Sequence, residues 1–463
     1  MSEPRIAIIG AGPTGLGAAW RLHEHGHVNW EVYEAGPHAG GLASSTLDPQ
    51  GFTWDLGGHV LFSHYRYFDD VMDRALGDAW VEHVREAWVW MRDRWIPYPF
   101  QNNIWRLPQG ELERCLQGLE ALQEGPNAPP ANFREWLLGS FGAGICDSFL
   151  FPYNQKVWAY DPSALNVEWM GERVATVDLA RVRRNLEQQL DDVSWGPNST
   201  FRFPHRGGTG AIWSAVSGML PAARQHFGRR VVGIDSARRR LTCDNGEAVP
   251  YDKLVSTMPL DKLIGMVDGF PLASRAADFV HSSSHIIGIG VRGELPSDLK
   301  TKCWIYFPEP GVPFYRATVF SNYSPHNAPE GHWSLMAEVS ESPEKPVDIS
   351  TIVDDVLAAF ERCGFLDRSS VASRWHRRLE HGYPTPWVGR NSVLDDVERS
   401  LSERGILSRG RFGAWKYEVS NQDHSFMQGV EAIDRILRGV VERTFHGDMT
   451  SNLGVPATSK LNN

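Results

Sequence analysis

The sequence predicts an α/β fold in three parts: a nucleotide-binding unit that opens the chain, a mainly helical insertion, and an antiparallel sheet. Three observations carry this reading. The apolar run Ile6-Ala-Ile-Ile9 leads directly into Gly10-Ala-Gly12-Pro-Thr-Gly15, which opens a helical stretch ending near Gly26. The region from Glu111 to Leu190 is rich in helix formers, with apolar residues at helical spacing and Pro or Gly punctuation. Several later runs instead alternate apolar and polar residues in the two-residue period of strands.

In chain order, Arg5–Ile9 reads as a strand, Leu16–His25 as a helix and Asn29–Tyr33 as a second strand closed by Glu34. That order is the βαβ opening of a Rossmann-type unit. After the helical insertion, the chain alternates like strands from Val231 to Val255, with Asp244-Asn-Gly246 as a hairpin turn. Ser284–Val291, Cys303–Phe307, Phe314–Asn322 and His332–Glu341 read as strands of an antiparallel sheet, and Asp348–Cys363 as a helix. Arg409–Val419 reads as a strand and Gln428–Thr444 as a helix opened by Gly429. The tail after Met449 is polar and expected to fray.

Composition bounds the function. With 42% hydrophobic and 22% charged residues, the 463-residue chain can bury a sizeable core and reads as globular. Its 18 Trp suit cores, interfaces or a broad ligand cleft, because indole is costly to leave in water. A formal charge of −10 argues against nucleic acid as a partner, so an anionic substrate has to be met by arginines gathered at one site. The five cysteines are odd in number and scattered, without a CxxC pair. This disfavours a disulfide framework or a metal site and fits a reducing, cytoplasmic setting. No stretch approaches the ~18 apolar residues of a spanning helix, so no membrane partner is expected.

The glycine turn carries chemistry because of where it sits. Gly10 permits the tight turn, Gly12 lets a pyrophosphate approach the backbone, and Gly15 allows close helix–strand packing. Glu34 is placed to accept ribose hydroxyls. Gly40-Gly41-Leu42 follows within a few residues and resembles large flavoproteins of the glutathione-reductase type, as does the polar loop before Gly429. The chain also returns to the nucleotide unit at Leu254–Met258 and near its C-terminus, as in that group. This resemblance implies FAD rather than NAD. The expected organisation is a discontinuous FAD-binding domain (1–95, 200–275 and 405–445), a mainly helical substrate domain (100–197), an antiparallel sheet domain (276–404) and a frayed tail (446–463).

Past residue 50 many motifs appear in one order: Gly57-Gly58-His59-Val60, Ser63-His64-Tyr65, Pro97-Tyr98-Pro-Phe-Gln101-Asn-Asn103, Pro152-Tyr153-Asn154-Gln-Lys-Val-Trp158 and Gly171-Glu-Arg173-Val. Further on come Trp195-Gly-Pro-Asn198, Cys303-Trp304-Ile-Tyr306, Phe314-Tyr-Arg316-Ala-Thr, His381-Gly-Tyr383-Pro, Arg409-Gly-Arg411-Phe and Tyr417-Glu-Val-Ser-Asn421-Gln422-Asp-His-Ser425. Across roughly residues 5 to 440 the series resembles the eukaryotic-type UDP-galactopyranose mutases. The resemblance implies interconversion of UDP-galactopyranose and UDP-galactofuranose, with reduced flavin N5 attacking the anomeric carbon and displacing UDP. That agrees with the lack of a hydrolytic triad motif, because the cofactor supplies the nucleophile.

Residue by residue, the resemblance implies that Arg173 and Arg316 clamp the diphosphate, where a guanidinium fork suits phosphate and stabilises developing charge. Tyr306, Tyr383 and Tyr417 are implied as phosphate donors, and Asn198 and Asn421 as polar groups near sugar and phosphates. Tyr98, Gln101, Phe149, Asn154 and Trp158 are implied at the uridine end, with Trp304 as a pocket wall. His59 is implied to lie against the flavin through its backbone carbonyl. Gly58, Arg411, Gln422 and Ser425 join Gly10, Gly12, Gly15, Glu34, Gly41 and Leu42 as expected flavin contacts. The expected reductant is NADPH or NADH, but Ala87 stands after Arg85 where relatives carry a small hydroxyl residue, which puts one contact to it in doubt. A shortened Pro325–His332 segment leaves open a homo-oligomer with altered contacts. The rival readings are a mutase of another nucleotide-linked sugar and a flavin oxidase of the amine-oxidase or protoporphyrinogen-oxidase kind. A scaffold protein that binds FAD without catalysis is a third.

Overall fold

A computed structural model of the chain describes residues 3–123, 129–170, 175, 177–193 and 199–447. At its base lies a five-stranded parallel sheet in the order Ile406–Ser408, Lys253–Ser256, Ile6–Ile9, Trp30–Glu34 and Gln225–Phe227. Every residue of Ile6–Ile9 is buried, as a central parallel strand covered on both faces requires, and this explains its unbroken apolar run. The expected return of the chain to this unit near Leu254 is seen as the pairing of Leu254 with Ala7 and Ile406.

The helix after the glycine turn, Pro13–Glu24, packs against the C-terminal helix Gln422–Arg438. Their backbones touch. A Cβ on Gly17 would lie 2.2 Å from the Phe426 carbonyl oxygen, and one on Gly429 would lie 2.0 Å from that of Thr14. This corrects the expectation that Gly429 opens a helix from Gln428 to Thr444. The helix starts six residues earlier, behind the N-cap Asn421, and Gly429 is mid-helix, where it serves a close crossing rather than a break. The strand expected over Arg409–Val419 is also corrected. The paired segment is Ile406–Ser408; beyond it the chain turns at Gly410 (φ 91°) and runs through a 3₁₀ turn, Tyr417–Val419. Phe412, Ala414, Trp415 and Val419 are all buried from this irregular segment, so its apolar content mimicked a strand.

The second sheet has seven strands in the order Val371–Pro384, His281–Arg292, His332–Glu341, Arg316–Val319, Trp304–Tyr306, Ala87–Met91 and Arg94–Pro97. Neighbours run antiparallel except Trp304–Tyr306 beside Ala87–Met91. The four strands expected here are present, with Phe314–Asn322 shortened to Arg316–Val319 by a following 3₁₀ turn. The helix expected over Asp348–Cys363 spans Ile352–Arg362. The expected hairpin turn after Cys243 is closed by Cys243 N–H donating to Glu247 O at 2.9 Å.

The insertion is helical as expected: Gln109–Ala121, Phe133–Ile145, Phe151–Trp158 and Leu179–Gln188. Asn132 caps the second of these by accepting from Glu135 N–H, while the Glu135 carboxylate takes the Ala131 N–H at 2.8 Å. Such reciprocal capping fixes where the helix starts. All five cysteines are free. Among the described residues no helix is long and apolar enough to cross a membrane.

Candidate active site

The nucleotide end is built from backbone. Gly10 N–H donates to Tyr33 O at 2.8 Å, joining the turn to the second strand. Gly10 has φ 98°, and a Cβ there would lie 2.1 Å from Thr257 Oγ1; one on Gly15 would lie 1.9 Å from Gly10 O. Both positions therefore exclude any side chain. The Glu34 carboxylate is oriented by two amides, Ala11 N–H at 2.8 Å and Gly36 N–H at 2.6 Å. Gly41 (φ 54°) brings bare backbone up to Gly12, with its Cβ position 3.3 Å from the Gly12 Cα, and Leu42 packs beside them onto the core. Two side-chain-free backbones facing each other at the start of a twelve-residue helix form a cradle that fits a dinucleotide diphosphate.

The second part is the loop Gly57-Gly58-His59-Val60, wedged between the sheet and the N-terminus of Gln422–Arg438. Gln422 donates to Val60 O at 3.4 Å and accepts from Trp213 Nε1 at 2.7 Å. Ser425 donates to Ser420 O at 3.4 Å, and Asn421 stands at the N-cap position, its carbonyl accepting from Ser425 N–H at 2.8 Å. Gly58 N–H donates to Glu338 Oε1 at 3.1 Å. Around Gly58 the Trp304 Nε1, Thr318 Oγ1 and His59 Nδ1 atoms are buried and lack a hydrogen-bond partner among the described residues. Burial holds His59 down to about 4; Glu338 opposes this, and Arg411 and Arg316 add to it. The imidazole is therefore neutral near pH 7.

Sheet register assembles the third part. Tyr306 pairs with Arg316, and Arg316 pairs with Glu338, so three adjacent strands place these side chains in one row on one face. Arg316 grips Glu338 in a bidentate pair, Nε to Oε1 at 2.7 Å and Nη2 to Oε2 at 2.9 Å. Tyr315 donates to the same carboxylate at 2.8 Å. Arg316 also keeps Glu338 below the usual carboxylate range, against the pull of burial.

An aromatic shell completes the site. Tyr98 and Tyr306 have ring centroids 4.9 Å apart, Tyr306 and Tyr153 5.4 Å, and Tyr153 stacks on Phe149 at 5.2 Å. Trp158 packs on Tyr417 at 4.9 Å and Tyr383 at 5.8 Å, and the Arg411 guanidinium sits 4.9 Å from the Tyr383 ring. Arg411 is held by donating to Ser420 Oγ and Gly382 O. Burial raises Tyr306 and Tyr383 above the ordinary phenol range, which keeps both hydroxyls protonated as donors.

Of the residues singled out from the sequence, the structure thus brings together His59, Tyr98, Phe149, Trp158, Trp304, Tyr306, Arg316, Tyr383, Arg411 and Tyr417. Gln101 is nearly fully buried and donates to Ala175 O at 2.6 Å, and Asn154 donates to Leu150 O at 2.8 Å; both side chains are engaged with the insertion's own backbone. Arg173 and Asn198 lie outside the described residues. Ala87 is buried and pairs in register with Trp304. Sequence reasoning missed Glu338, Tyr315 and Tyr153. The signal for Glu338 was available: an acid buried inside the strand His332–Glu341, whose other acid, Glu341, only closes it.

The family model for flavin containing amine oxidoreductases matches residues 13–412. A crystal structure of reduced UDP-galactopyranose mutase superposes with a TM-score of 0.95 and is 52% identical, covering 97% of this chain and 98% of that one. The chain belongs to the flavin-containing amine oxidoreductases and, within them, to the UDP-galactopyranose mutases. A protoporphyrinogen oxidase homologue from Exiguobacterium sp. 255-15 shares the fold, with a TM-score of 0.70 at 17% identity over 94% of this chain and 99% of that one. Short stretches resemble two enzymes of known activity: the maize zeta-carotene desaturase is 36% identical over 74 residues and the tobacco mitochondrial protoporphyrinogen oxidase 43% over 60. These stretches cover 16% and 13% of this chain and only 13% and 12% of those proteins. Within the mutase family, the row Tyr306–Arg316–Glu338 and the shell around it form the candidate active site.

Proposed function

We propose that the chain interconverts UDP-galactopyranose and UDP-galactofuranose as an FAD-dependent isomerase with no net redox change. The observation that carries this reading is the meeting of the Arg316 fork, the hydroxyls of Tyr306, Tyr383 and Tyr417, and the Gly57–Val60 loop in one aromatic-walled site. FAD would lie along the Gly10–Gly15 turn, Glu34, Gly41 and Leu42, with its ring toward Gly58, Arg411, Gln422 and Ser425. When bound and reduced, the flavin supplies the electron pair that takes the anomeric carbon from UDP.

The chain's own residues do the rest. Arg316, joined by Arg173, meets the diphosphate with a fixed fork of donors, which stabilises the charge that grows as the glycosidic bond breaks. The tyrosine hydroxyls donate to the same oxygens, and the aromatic shell excludes water, so these contacts act in a low-dielectric site. His59, neutral, contributes its backbone rather than a proton. Tyr98 offers the uracil a ring face, with Phe149, Trp158, Gln101 and Asn154 around it and Trp304 as a wall. Asn198 and Asn421 serve the sugar and phosphates. NADPH or NADH is the proposed reductant, entering past Arg85. An oxidase reading has no use for the ion-paired Arg316 among these tyrosines; it predicts oxygen consumption instead.

The test is turnover of UDP-galactofuranose by the purified, reduced protein and by its Arg316→Ala variant. We expect UDP-galactopyranose from the first, and a loss of at least ~100-fold in the second with flavin content unchanged, the scale of removing a donor from developing anionic charge. Full activity of the variant would overturn the clamp.

A further inference from the structure

We infer that Glu338 is a positioning residue: it fixes the Arg316 fork and ties it to the Gly57–His59 loop. The inference rests on the mutase reading and adds a residue to it.

Glu338 is 4% exposed, and four donors converge on it from three directions. Arg316 Nε and Nη2 lie at 2.7 and 2.9 Å, Gly58 N–H at 3.1 Å and the Tyr315 hydroxyl at 2.8 Å. A bidentate pair constrains a guanidinium in rotation as well as position, which a single contact does not. Glu338 engages only the Nε–Nη2 edge, and so leaves the Nη1 side to a ligand. The same carboxylate fixes the backbone of the glycine that precedes His59. Tyr315 extends the hub to Tyr383, whose hydroxyl lies 3.4 Å away. One buried anion thus sets the relative placement of the clamp arginine, the loop and a phosphate-donor tyrosine.

A negative charge beside an anion-binding arginine has an apparent cost, since it offsets part of the attraction. The arrangement makes sense if placement matters more than raw charge. Catalysis needs donors held where charge develops, and misplacement of about 1 Å can cost ~100-fold in rate. Ground-state binding of a diphosphate, by contrast, tolerates a mobile cation. Removing the Glu338 charge should therefore separate turnover from binding: Arg316 keeps its full charge for UDP but loses its fixed orientation for the reaction.

The experiment compares wild-type holoprotein with Glu338→Gln and Tyr315→Phe variants. It reads kcat on UDP-galactofuranose under reducing conditions, the dissociation constant of UDP by calorimetry, and flavin content. We expect Glu338→Gln to lower kcat at least tenfold while UDP affinity does not weaken more than threefold and flavin stays bound. An unchanged kcat, or parallel losses of turnover, UDP affinity and flavin, would overturn the inference, because the parallel losses are what a collapsed pocket gives. Tyr315→Phe leaves the buried ion pair intact, so it decides the matter if Glu338→Gln does not fold: a kcat loss of about threefold with UDP affinity held supports the hub, and no loss refutes it. In an Arg316→Lys background, Glu338→Gln should add less than a twofold further loss; a multiplicative loss would mean it acts independently of Arg316. A wild type unable to interconvert the sugars would sink the mutase reading itself, whereas an active wild type with an indifferent Glu338 would sink only this inference.

Discussion

His59 shows how one side chain's burial becomes a pH effect. Its folded value is about 4, below the ordinary 6.5, with burial as the main cause. A histidine depressed in this way favours the folded state fully above pH 6.5, and that contribution is lost as pH falls toward 4, because the unfolded chain takes the proton first. The thermal midpoint of the wild type should therefore fall between pH 6.5 and 4 more steeply than that of a His59→Asn variant. Equal slopes would show that His59 is not buried neutral. Much of the site was legible at this scale, because Tyr98, Tyr306, Arg316, Tyr383 and Tyr417 each sit in a short motif that survives as a string of letters. Glu338 was not, because its role depends on strand register, which pairs it with a residue 22 positions earlier. No local pattern encodes that pairing.

Between elements, the crossing of Pro13–Glu24 and Gln422–Arg438 is a close backbone-to-backbone joint of the nucleotide unit. A methyl group on Gly429 would lie 2.0 Å from a backbone oxygen and 2.7 Å from the Ala18 nitrogen, with no flexible atom to give way. Overpacking of this kind costs about 1–3 kcal/mol or more. Gly429→Ala should lower the melting temperature by several degrees and weaken flavin retention, since the same two helices frame the cradle. Unchanged melting would mean that the helices separate without cost. The elements that sequence reasoning found were those with a clean period. It missed Val371–Pro384, at 14 residues the longest strand among the described residues, because this sheet-edge strand is largely half-exposed and carries a polar run, Ser373-Arg-Trp-His-Arg-Arg378. It invented a strand over Arg409–Val419 because a buried loop can be as apolar as a strand. Arg409 itself is buried there between Glu442 and Glu398, a reminder that the segment is anchored by charge as well as by apolar contact.

For the whole molecule, the parallel sheet is stitched from segments near residues 6, 30, 225, 253 and 406, so nearly the full chain must fold before the cradle closes. A ligand that binds only this assembled state stabilises it by mass action, by about 2.7 kcal/mol at a hundredfold excess over its dissociation constant. Flavin-stripped protein should melt at a lower temperature than the holoprotein, and FAD should restore the loss while NAD does not. Restoration by NAD would contradict the assignment of the Gly10–Gly15 cradle. On the proposed reading, the same assembly brings the Gly57–Val60 loop beside the Arg316–Glu338 pair, so the flavin and the diphosphate would meet at one site. On the proposed mechanism the reduced flavin is used and returned in every turnover. The most direct measurement follows flavin absorbance and sugar product together, under anaerobic conditions, after one stoichiometric reduction. We expect many turnovers of UDP-galactofuranose to UDP-galactopyranose with the flavin still reduced at the end, and none from the oxidised protein. Turnover by the oxidised protein, or one flavin reoxidised per product formed, would contradict that mechanism.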